Sequence, residues 1–294
     1  MKREILGEEI AYDDNQKDAP VIFLIHGNMT AKECFYNIEK YLGERRIIAF
    51  DLPGFGDTSF NYFYYSIDQL AWVCYRFIKS FGFKKFDILG WSMGGAIIYE
   101  LFKTRLEENI DHAIFVSAMG INGVNRLDDN YKSFLDTMHL TSIPTEIINT
   151  ITIYQEELRK LYSLKPSYDS SLTRESTRQM LKRYVFNEKH DHQTLERGTR
   201  LALKQRDPMD INKAIMSYTY KGETVPHIKK LFLHGSEDKV VKIEKIEETY
   251  EFFKDSSTLK IIPGYDHGMV VTHAKEISEE VNKFLENKDE SINI

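Results

Sequence analysis

The chain has 294 residues, of which 42% are hydrophobic and 29% are charged. These values are typical of a globular protein with a sizeable core and argue against disorder over most of the length. The 39 basic and 45 acidic residues give a net charge of -6, so we expect no nucleic-acid partner. Short basic pairs such as Lys84-Lys85 and Lys229-Lys230 flank apolar strands and are interpreted as solvated strand ends.

Neither the first residues nor the cysteines indicate export. Residues 1–6 lack the apolar core of a signal peptide, and apolar runs such as 21–25 are far shorter than the roughly 20 residues that cross a bilayer. Cys34 and Cys74 have no CxxC spacing, and each lies in a stretch with amphipathic helical spacing. We therefore expect buried free thiols, no transmembrane segment and a cytoplasmic location.

Predicted strands alternate with predicted helices at both ends of the chain. The sequence Ser66-Ile67-Asp68-Gln69 has the form of a capping box and opens one amphipathic helix. The last helix is followed by a polar tail that begins at Asn287. The predicted strands cover residues 21–25, 46–50, 86–89, 113–116, 230–233 and 259–262. This alternation predicts an α/β fold with a mostly parallel sheet covered by helices on both faces.

The middle of the chain differs from both ends. From about residue 122 to about residue 225 the strand pattern disappears, and helical stretches such as 154–164 and 174–184 dominate. We predict a core formed by residues 1–121 and 226–294 and an inserted, mostly helical cap formed by residues 122–225. The cap contains a His-x-His pair, His190 and His192, which we assign to its surface because no other ligand cluster accompanies it.

The sequence Gly90-Trp91-Ser92-Met93-Gly94 lies between a predicted strand and a predicted helix. A nucleophile at a tight strand-to-helix turn has strained backbone geometry and needs small neighbours. Gly90 and Gly94 provide them, and the helix N-terminus that follows favours developing negative charge. We therefore predict that Ser92 is a nucleophile.

A serine nucleophile needs a base that takes its proton and an acid that orients the base. Asp238 follows the strand 230–233, and His267 follows the strand 259–262. Because the carboxyl ends of parallel strands converge on one crevice, these side chains can meet Ser92 there. We predict a Ser92, Asp238 and His267 catalytic set.

Three other residues compete for these roles. Glu237 is adjacent to Asp238 in the same loop. His273 stands at the start of the last helix and is interpreted as a capping-region or surface histidine. His26 follows the strand 21–25 and is interpreted as a structural hydrogen-bonding group.

Over nearly its whole length the chain resembles the α/β-hydrolase superfamily, with a helical cap between the sixth and seventh strands. Four motifs match in order, and the order serine, acid, histidine is also that of the superfamily. The motifs are His26-Gly27-Asn28, Asp51-Leu52-Pro53-Gly54-Phe55-Gly56, the segment around Ser92, and the acid and histidine loops.

The resemblance carries two assignments. It implies that the backbone N–H groups of Asn28 and Met93 form an oxyanion hole. The superfamily's Gly-x-x-Asp loop also favours Asp238 over Glu237, because Gly235 precedes Asp238 by three positions.

A serine at this position separates the chain from the haloalkane dehalogenases and epoxide hydrolases of this fold, which use aspartate. The expected reaction is hydrolysis of a small-molecule carboxylic ester through an acyl intermediate on Ser92, without cofactor or metal. Thioesters, lactones, acylamides and carbon–carbon cleavage stay open, because the same catalytic set serves each of them.

Two further alternatives stay open. The serine motif, residues 26–30 and residues 204–210 resemble short intracellular poly(3-hydroxybutyrate) depolymerases of bacilli, which implies a short-chain hydroxyacid ester. The serine motif is also similar to that of some iminopeptidases. An alternative of a different class is a receptor-like α/β-hydrolase that keeps the catalytic set and binds a ligand with little turnover.

Overall fold

The computed structural model describes residues 1–123, 171–187, 190–222 and 226–286. Eight strands form one sheet in the order β1-β2-β4-β3-β5-β6-β7-β8. The strands are β1 (Lys2–Ile5), β2 (Glu8–Asp14), β3 (Val21–Ile25), β4 (Arg46–Phe50), β5 (Phe86–Trp91), β6 (Ile110–Val116), β7 (Lys229–Gly235) and β8 (Ser257–Ile262). Strands β3 to β8 are parallel to one another, whereas β2 is antiparallel to both β1 and β4. The prediction of a mostly parallel sheet is confirmed.

All six predicted strands are present as β3 to β8, but the sequence pattern missed β1 and β2. These two strands form an antiparallel hairpin at the edge of the sheet, where one face stays in contact with water. Their sequences are therefore rich in charge and lack a continuous apolar run. The turn between them places Leu6 and Gly7 at φ +52° and +83° without the Asn-Gly or Asp-Gly signal of such turns.

Helices cover both faces of the sheet, as predicted. Helices α1, α2 and α6 pack on the face that carries Phe23 and Ile25. Helix α8 packs on the opposite face, which carries Ile22 and Leu24. The helices are α1 (Ile67–Lys79), α2 (Met93–Leu101), α3 (Ser171–Met180), α4 (His192–Ala202), α5 (Pro208–Ser217), α6 (Ile243–Phe253), α7 (Met269–Thr272) and α8 (Ala274–Glu286).

Helix α1 begins where the sequence predicts, but its predicted capping box is wrong. The side chain of Ser66 makes no capping hydrogen bond. Instead, the Gln69 side-chain oxygen accepts a hydrogen bond from the backbone N–H of Tyr65 at 2.7 Å. This bond joins the residue before the N-cap to the first turn, and it does not cap the N–H groups of that turn. The polar tail from Asn287 onward lies outside the described residues.

The interpretation of Lys229-Lys230 as a solvated strand end is wrong for Lys230. Successive strand residues point to opposite faces, so Lys229 is exposed while Lys230 is fully buried. The Lys230 ammonium donates to the carbonyl oxygens of Pro226 and Ile228 and to the Ser256 hydroxyl, each at 2.7 Å. Burial lowers the pKa of Lys230 to about 8. This lysine ties the start of β7 to the start of β8.

Helices α3, α4 and α5, here called the inserted helices, lie between β6 and β7 in the chain. The predicted helix 174–184 corresponds to α3 and the π-helical turn Leu181–Val185, whereas the predicted helix 154–164 lies outside the described residues. The boundaries of the predicted cap, 122–225, stay a prediction.

Both cysteines are buried and free. Cys74 lies on α1, as expected, while Cys34 lies on the 3-10 helix Lys32–Phe35. Within the described ranges, no helix combines the length and the apolar character that crossing a bilayer requires.

Candidate active site

Ser92 occupies the turn between β5 and α2 with φ +55° and ψ -120°. A non-glycine residue at such a φ is strained and persists only where its surroundings hold it. The backbone N–H of Ser92 donates to the carbonyl of Val116 at 3.2 Å, and its carbonyl accepts from Gly95 and Met119, both at 3.0 Å. These bonds fix the serine at the carboxyl end of the sheet.

Gly94 allows this turn to pack against β3. A Cβ atom at Gly94 would lie 2.1 Å from the backbone oxygen of Ile25, which cannot yield without moving the strand. We expect Gly94→Ala to lower the free energy of unfolding by about 3 kcal/mol or more through overpacking. Urea unfolding followed by circular dichroism measures this loss.

Gly43→Ala serves as the matched control for that variant. Gly43 has φ +68° but no atom within 4 Å of an added Cβ, so it carries only the left-handed backbone penalty of roughly 1 to 2 kcal/mol. An equal loss in the two variants would show that contact with Ile25 does not constrain the turn.

Ser92, His267 and Asp238 form one continuous chain of hydrogen bonds. The Ser92 hydroxyl lies 3.0 Å from His267 Nε2, and His267 Nδ1 lies 2.8 Å from Asp238 Oδ2. The other carboxylate oxygen of Asp238 accepts from the backbone N–H groups of Val240 and Val241, both at 2.8 Å. An ionised Asp238 is an acceptor only, so Nδ1 carries the imidazole proton and Nε2 is free to accept from the serine.

The charge state of Asp238 follows from its neighbours. Its carboxylate is completely buried, and burial by itself would raise its pKa. The positive charge of His267 and its hydrogen bond outweigh burial, so the pKa of Asp238 is lowered. The group therefore stays ionised at neutral pH, as the orientation of His267 requires.

Two residues that sequence reasoning missed support this chain. The indole N–H of Trp91 donates to the backbone oxygen of His267 at 2.9 Å. The ring of His234 lies beneath Asp238, with Nε2 2.9 Å from the carbonyl of Val241. Burial lowers the pKa of His234, which favours a neutral ring. Trp91 directly precedes Ser92 and His234 lies four positions before Asp238, but their contacts arise only in the folded chain.

The competing residues lie elsewhere. Glu237 is exposed and takes no part in the hydrogen bonds that join Ser92, His267 and Asp238. His273 stacks on Tyr265 with ring centroids 4.0 Å apart. His26 is fully buried, and its Nε2 accepts from the backbone N–H of Leu52 at 3.0 Å. His26 therefore has the structural role predicted for it.

The loop after β3 runs beside Ser92. A Cβ atom at Gly27 would lie 2.8 Å from that of Ser92, so the backbone of this loop passes directly over the serine. Met93 is the first residue of α2. Within the described part of the chain, the N–H groups of Asn28 and Met93 donate to no protein acceptor. The assignment of these two groups to an oxyanion hole stays a prediction.

Two residues of the inserted segment hold this loop, and sequence reasoning missed their role. Gln205 accepts from the backbone N–H of Met29 at 3.1 Å and donates to the Asn28 side-chain oxygen at 2.9 Å. Asn212, on α5, accepts from the Asn28 side-chain nitrogen at 2.8 Å. Gln205 and Asn212 are buried, and Met29 has φ +54°. The segment 204–210 contains Gln205 and is a sequence signal for that residue alone, because Asn212 lies beyond it.

A cavity of about 140 Å³ opens beside Ser92 and His267. The inserted helices and the turn after α3 provide much of its apolar wall, namely Met180, Leu181, Val185, Phe186 and Leu201. Among the described residues, no group of three or more histidine, cysteine, aspartate or glutamate side chains could hold a metal ion.

Residues 20–274 match the family model for the α/β hydrolase fold. A curated relative, the 2-hydroxy-6-oxo-6-(2'-aminophenyl)hexa-2,4-dienoic acid hydrolase of Metapseudomonas resinovorans, is 25% identical in sequence. The alignment covers 95% of this chain and 88% of the relative.

Solved structures of esterases share the architecture. Esterase RhEst1 from Rhodococcus sp. ECU1013 superposes with a TM-score of 0.75 at 17% identity, over 97% of this chain and 98% of that one. The esterase EaEST from Exiguobacterium antarcticum gives a TM-score of 0.74 at 18% identity with the same coverage. At these identities the likeness is one of fold.

Proposed function

The chain belongs to the α/β hydrolase fold family, and we propose that it is a serine-dependent carboxylic ester hydrolase. The observation that carries this proposal is the continuous hydrogen-bond chain from the strained Ser92 through His267 to the buried Asp238. In the proposed reaction the Ser92 oxygen attacks the acyl carbon while His267 Nε2 takes the hydroxyl proton. Asp238 holds the imidazole in the required tautomer and stabilises the imidazolium.

The negative charge that develops on the acyl oxygen needs hydrogen-bond donors. The N–H groups of Asn28 and Met93 fill this role, and the start of α2 adds the favourable end of the helix dipole. His267 then protonates the leaving alcohol, which leaves an acyl group on Ser92. Water, deprotonated by His267, hydrolyses that ester and restores the serine.

The direct test combines covalent labelling with turnover. We expect a fluorophosphonate probe to label Ser92, and we expect hydrolysis of 4-nitrophenyl esters across a series of acyl lengths, assayed beside hydroxybutyrate oligomers. Labelling without turnover would favour the receptor-like alternative. Absence of labelling in a folded protein would contradict the proposed role of Ser92.

A second candidate comes from the relative of 25% identity. Its named substrate is a hydroxy-oxo-hexadienoic acid, which contains no ester, so hydrolysis breaks a carbon–carbon bond beside the ketone. Loss of the dienone absorbance on addition of that acid, abolished in Ser92→Ala, would establish this activity. If the dienoic acid is cleaved faster than every ester in the series, ester hydrolysis is the side reaction.

The proposed function makes Gln205 a positioning residue. Gln205→Leu removes the acceptor for the Met29 N–H and the donor to Asn28, so the loop that carries one oxyanion donor loses one of its two anchors and keeps only Asn212. A misplacement of about 1 Å costs on the order of 100-fold in rate, and we expect kcat to fall toward that extent while KM changes little. Steady-state kinetics on one activated ester measures this split.

Gln193→Leu is the control for Gln205→Leu, because Gln193 is exposed on α4. It should keep wild-type kinetics. A rise in KM at unchanged kcat in Gln205→Leu would assign Gln205 to substrate binding and contradict the positioning role.

A further inference from the structure

The charged side chains that line the cavity beside Ser92 are all cationic. They are Arg197, Lys239 and Lys242, and no aspartate or glutamate among the described residues joins them in the lining. The whole chain has a net charge of -6, so this local excess of positive charge runs against the overall composition. Apolar cavity walls strengthen the field of such charges because they exclude water.

Arg197 differs from three other arginines of the inserted helices. On the same face of the insertion, Arg174 and Arg178 pair with Glu196, and Arg200 lies 3.4 Å from Glu33. Within the described ranges, Arg197 has no carboxylate at ion-pair distance and no hydrogen bond. Arg197 is half-buried on the cavity wall, so its guanidinium is placed to bind an anionic group of a ligand.

Hydrogen bonds from Thr194 and, to a lesser extent, the charge of Arg197 lower the pKa of Asp191 at the start of the same helix. Asp191 caps α4 and accepts hydrogen bonds from the backbone N–H and the hydroxyl of Thr194 at 2.7 and 3.0 Å. Lys239 follows Asp238 directly, and both Lys239 and Lys242 are exposed, so the two lysines lie where the cavity meets solvent. The position of Lys239 favours the entry of an anion toward Arg197.

We propose that the natural substrate carries a carboxylate away from its scissile bond and that Arg197 binds this carboxylate. This inference rests on the proposed function and names the class of substrate. The planar guanidinium matches a carboxylate with two parallel hydrogen bonds. The carboxylate lies away from the reacting carbon, because a negative charge beside the developing oxyanion would oppose catalysis.

Matched pairs of activated esters test this proposal. Mono-4-nitrophenyl adipate against 4-nitrophenyl hexanoate places a carboxylate on the acyl side, and 4-acetoxybenzoate against 4-acetoxybenzamide places it on the leaving-group side. We expect the wild type to prefer the anion in one of the pairs by about 10-fold to 100-fold in kcat/KM, the range of a hydrogen bond to a charged group. The preference should weaken as ionic strength rises.

Two variants assign that preference to one side chain. Arg197→Met should bring the ratio of anionic to neutral kcat/KM close to one, and Arg197→Lys should keep part of it. Arg200→Met, three positions along the same helix and paired with Glu33, should keep the wild-type ratio. A wild type without anion preference in either pair, or a preference that survives in Arg197→Met, would overturn the proposal.

A binding measurement separates this proposal from the proposed function. Calorimetry on Ser92→Ala with N-(4-nitrophenyl)adipamic acid and with hexanoic acid 4-nitroanilide compares an anionic and a neutral ligand without turnover. Suppose that Ser92→Ala binds the acid selectively and that the Ser92→Ala, Arg197→Met double variant does not. That result supports the carboxylate site even if no ester is hydrolysed. Equal binding of the two anilides refutes the site even if esters are hydrolysed.

Discussion

Replacement of Ser92 by alanine is expected to reduce kcat on an activated ester by a factor on the order of 10⁴ to 10⁶. The hydroxyl oxygen is the proposed nucleophile, and no other hydroxyl among the described residues lies within hydrogen-bond distance of His267 Nε2. Loss of a single oxygen should leave the packing of the turn unchanged. Steady-state assays measure the loss of kcat, and circular dichroism on the same sample checks that the fold is unchanged.

The control for Ser92→Ala is Ser217→Ala. Ser217 is exposed on α5, and its hydroxyl donates to the carbonyl of Lys213 within the helix. This variant should retain wild-type kinetics. If Ser92→Ala kept more than about a tenth of the activity with an unchanged spectrum, the serine assignment would be wrong, since loss of a nucleophile costs far more than that.

Strands β3 to β7 could be predicted because they are largely buried on both faces, whereas β8 at the edge of the sheet contains no buried residue. Runs such as Val21–Ile25 are entirely buried, so each one appears in the sequence as a continuous apolar segment. The edge hairpin of β1 and β2 has no such run, and its turn at Leu6 and Gly7 lacks the usual turn residues. The burial of Lys230 could not be predicted either. A lysine in the sequence is expected at the surface, and its three acceptors come together only in the folded chain.

The candidate site could be predicted to the extent that local motifs encode it. Ser92 and His267 each follow a strand within a short recognisable segment, and the structure brings their side chains together. Gln205, Asn212 and Arg197 could not be assigned from their own surroundings in the sequence. Their roles depend on how the inserted helices dock on the core, which helical periodicity does not specify.

The inserted segment acts on the proposed chemistry as well as on the shape of the cavity. Gln205 and Asn212 hold the loop that contains one proposed oxyanion donor, while Arg197 and the apolar wall face the cavity. Movement of this segment would therefore change kcat and KM together. A core without it would lack both the anchor of the loop and the proposed carboxylate site.

The second large effect is expected at His267 and Asp238. His267→Ala should abolish activity about as fully as Ser92→Ala, because without the base the serine keeps its proton. The double variant should be scarcely worse than either single one, since members of such a set act as a unit. Asp238→Asn should cost roughly 10⁴-fold through the wrong imidazole tautomer and an unstabilised imidazolium.

Neighbouring residues of the same types supply matched controls for these variants. Glu237→Gln changes an exposed carboxylate beside Asp238, and His273→Ala removes a ring that stacks on Tyr265. Each should remain close to wild type in kcat/KM on the same ester. The backbone of Glu237 donates to the carbonyl of Tyr265 at 2.8 Å, and neither substitution removes that bond.

The pattern across these variants discriminates between the assignments. A collapse in Glu237→Gln with Asp238→Asn nearly unharmed would transfer the role of the acid to Glu237. A collapse in His273→Ala with His267→Ala still active would transfer the role of the base to His273. The lowered pKa of Asp238 adds a pH criterion. Because this carboxylate stays ionised at pH values where an ordinary aspartate becomes protonated, its protonation should not set the acid limb of kcat/KM in the wild type. Asp238→Asn, which leaves no carboxylate to titrate, should therefore lower the plateau without removing that limb.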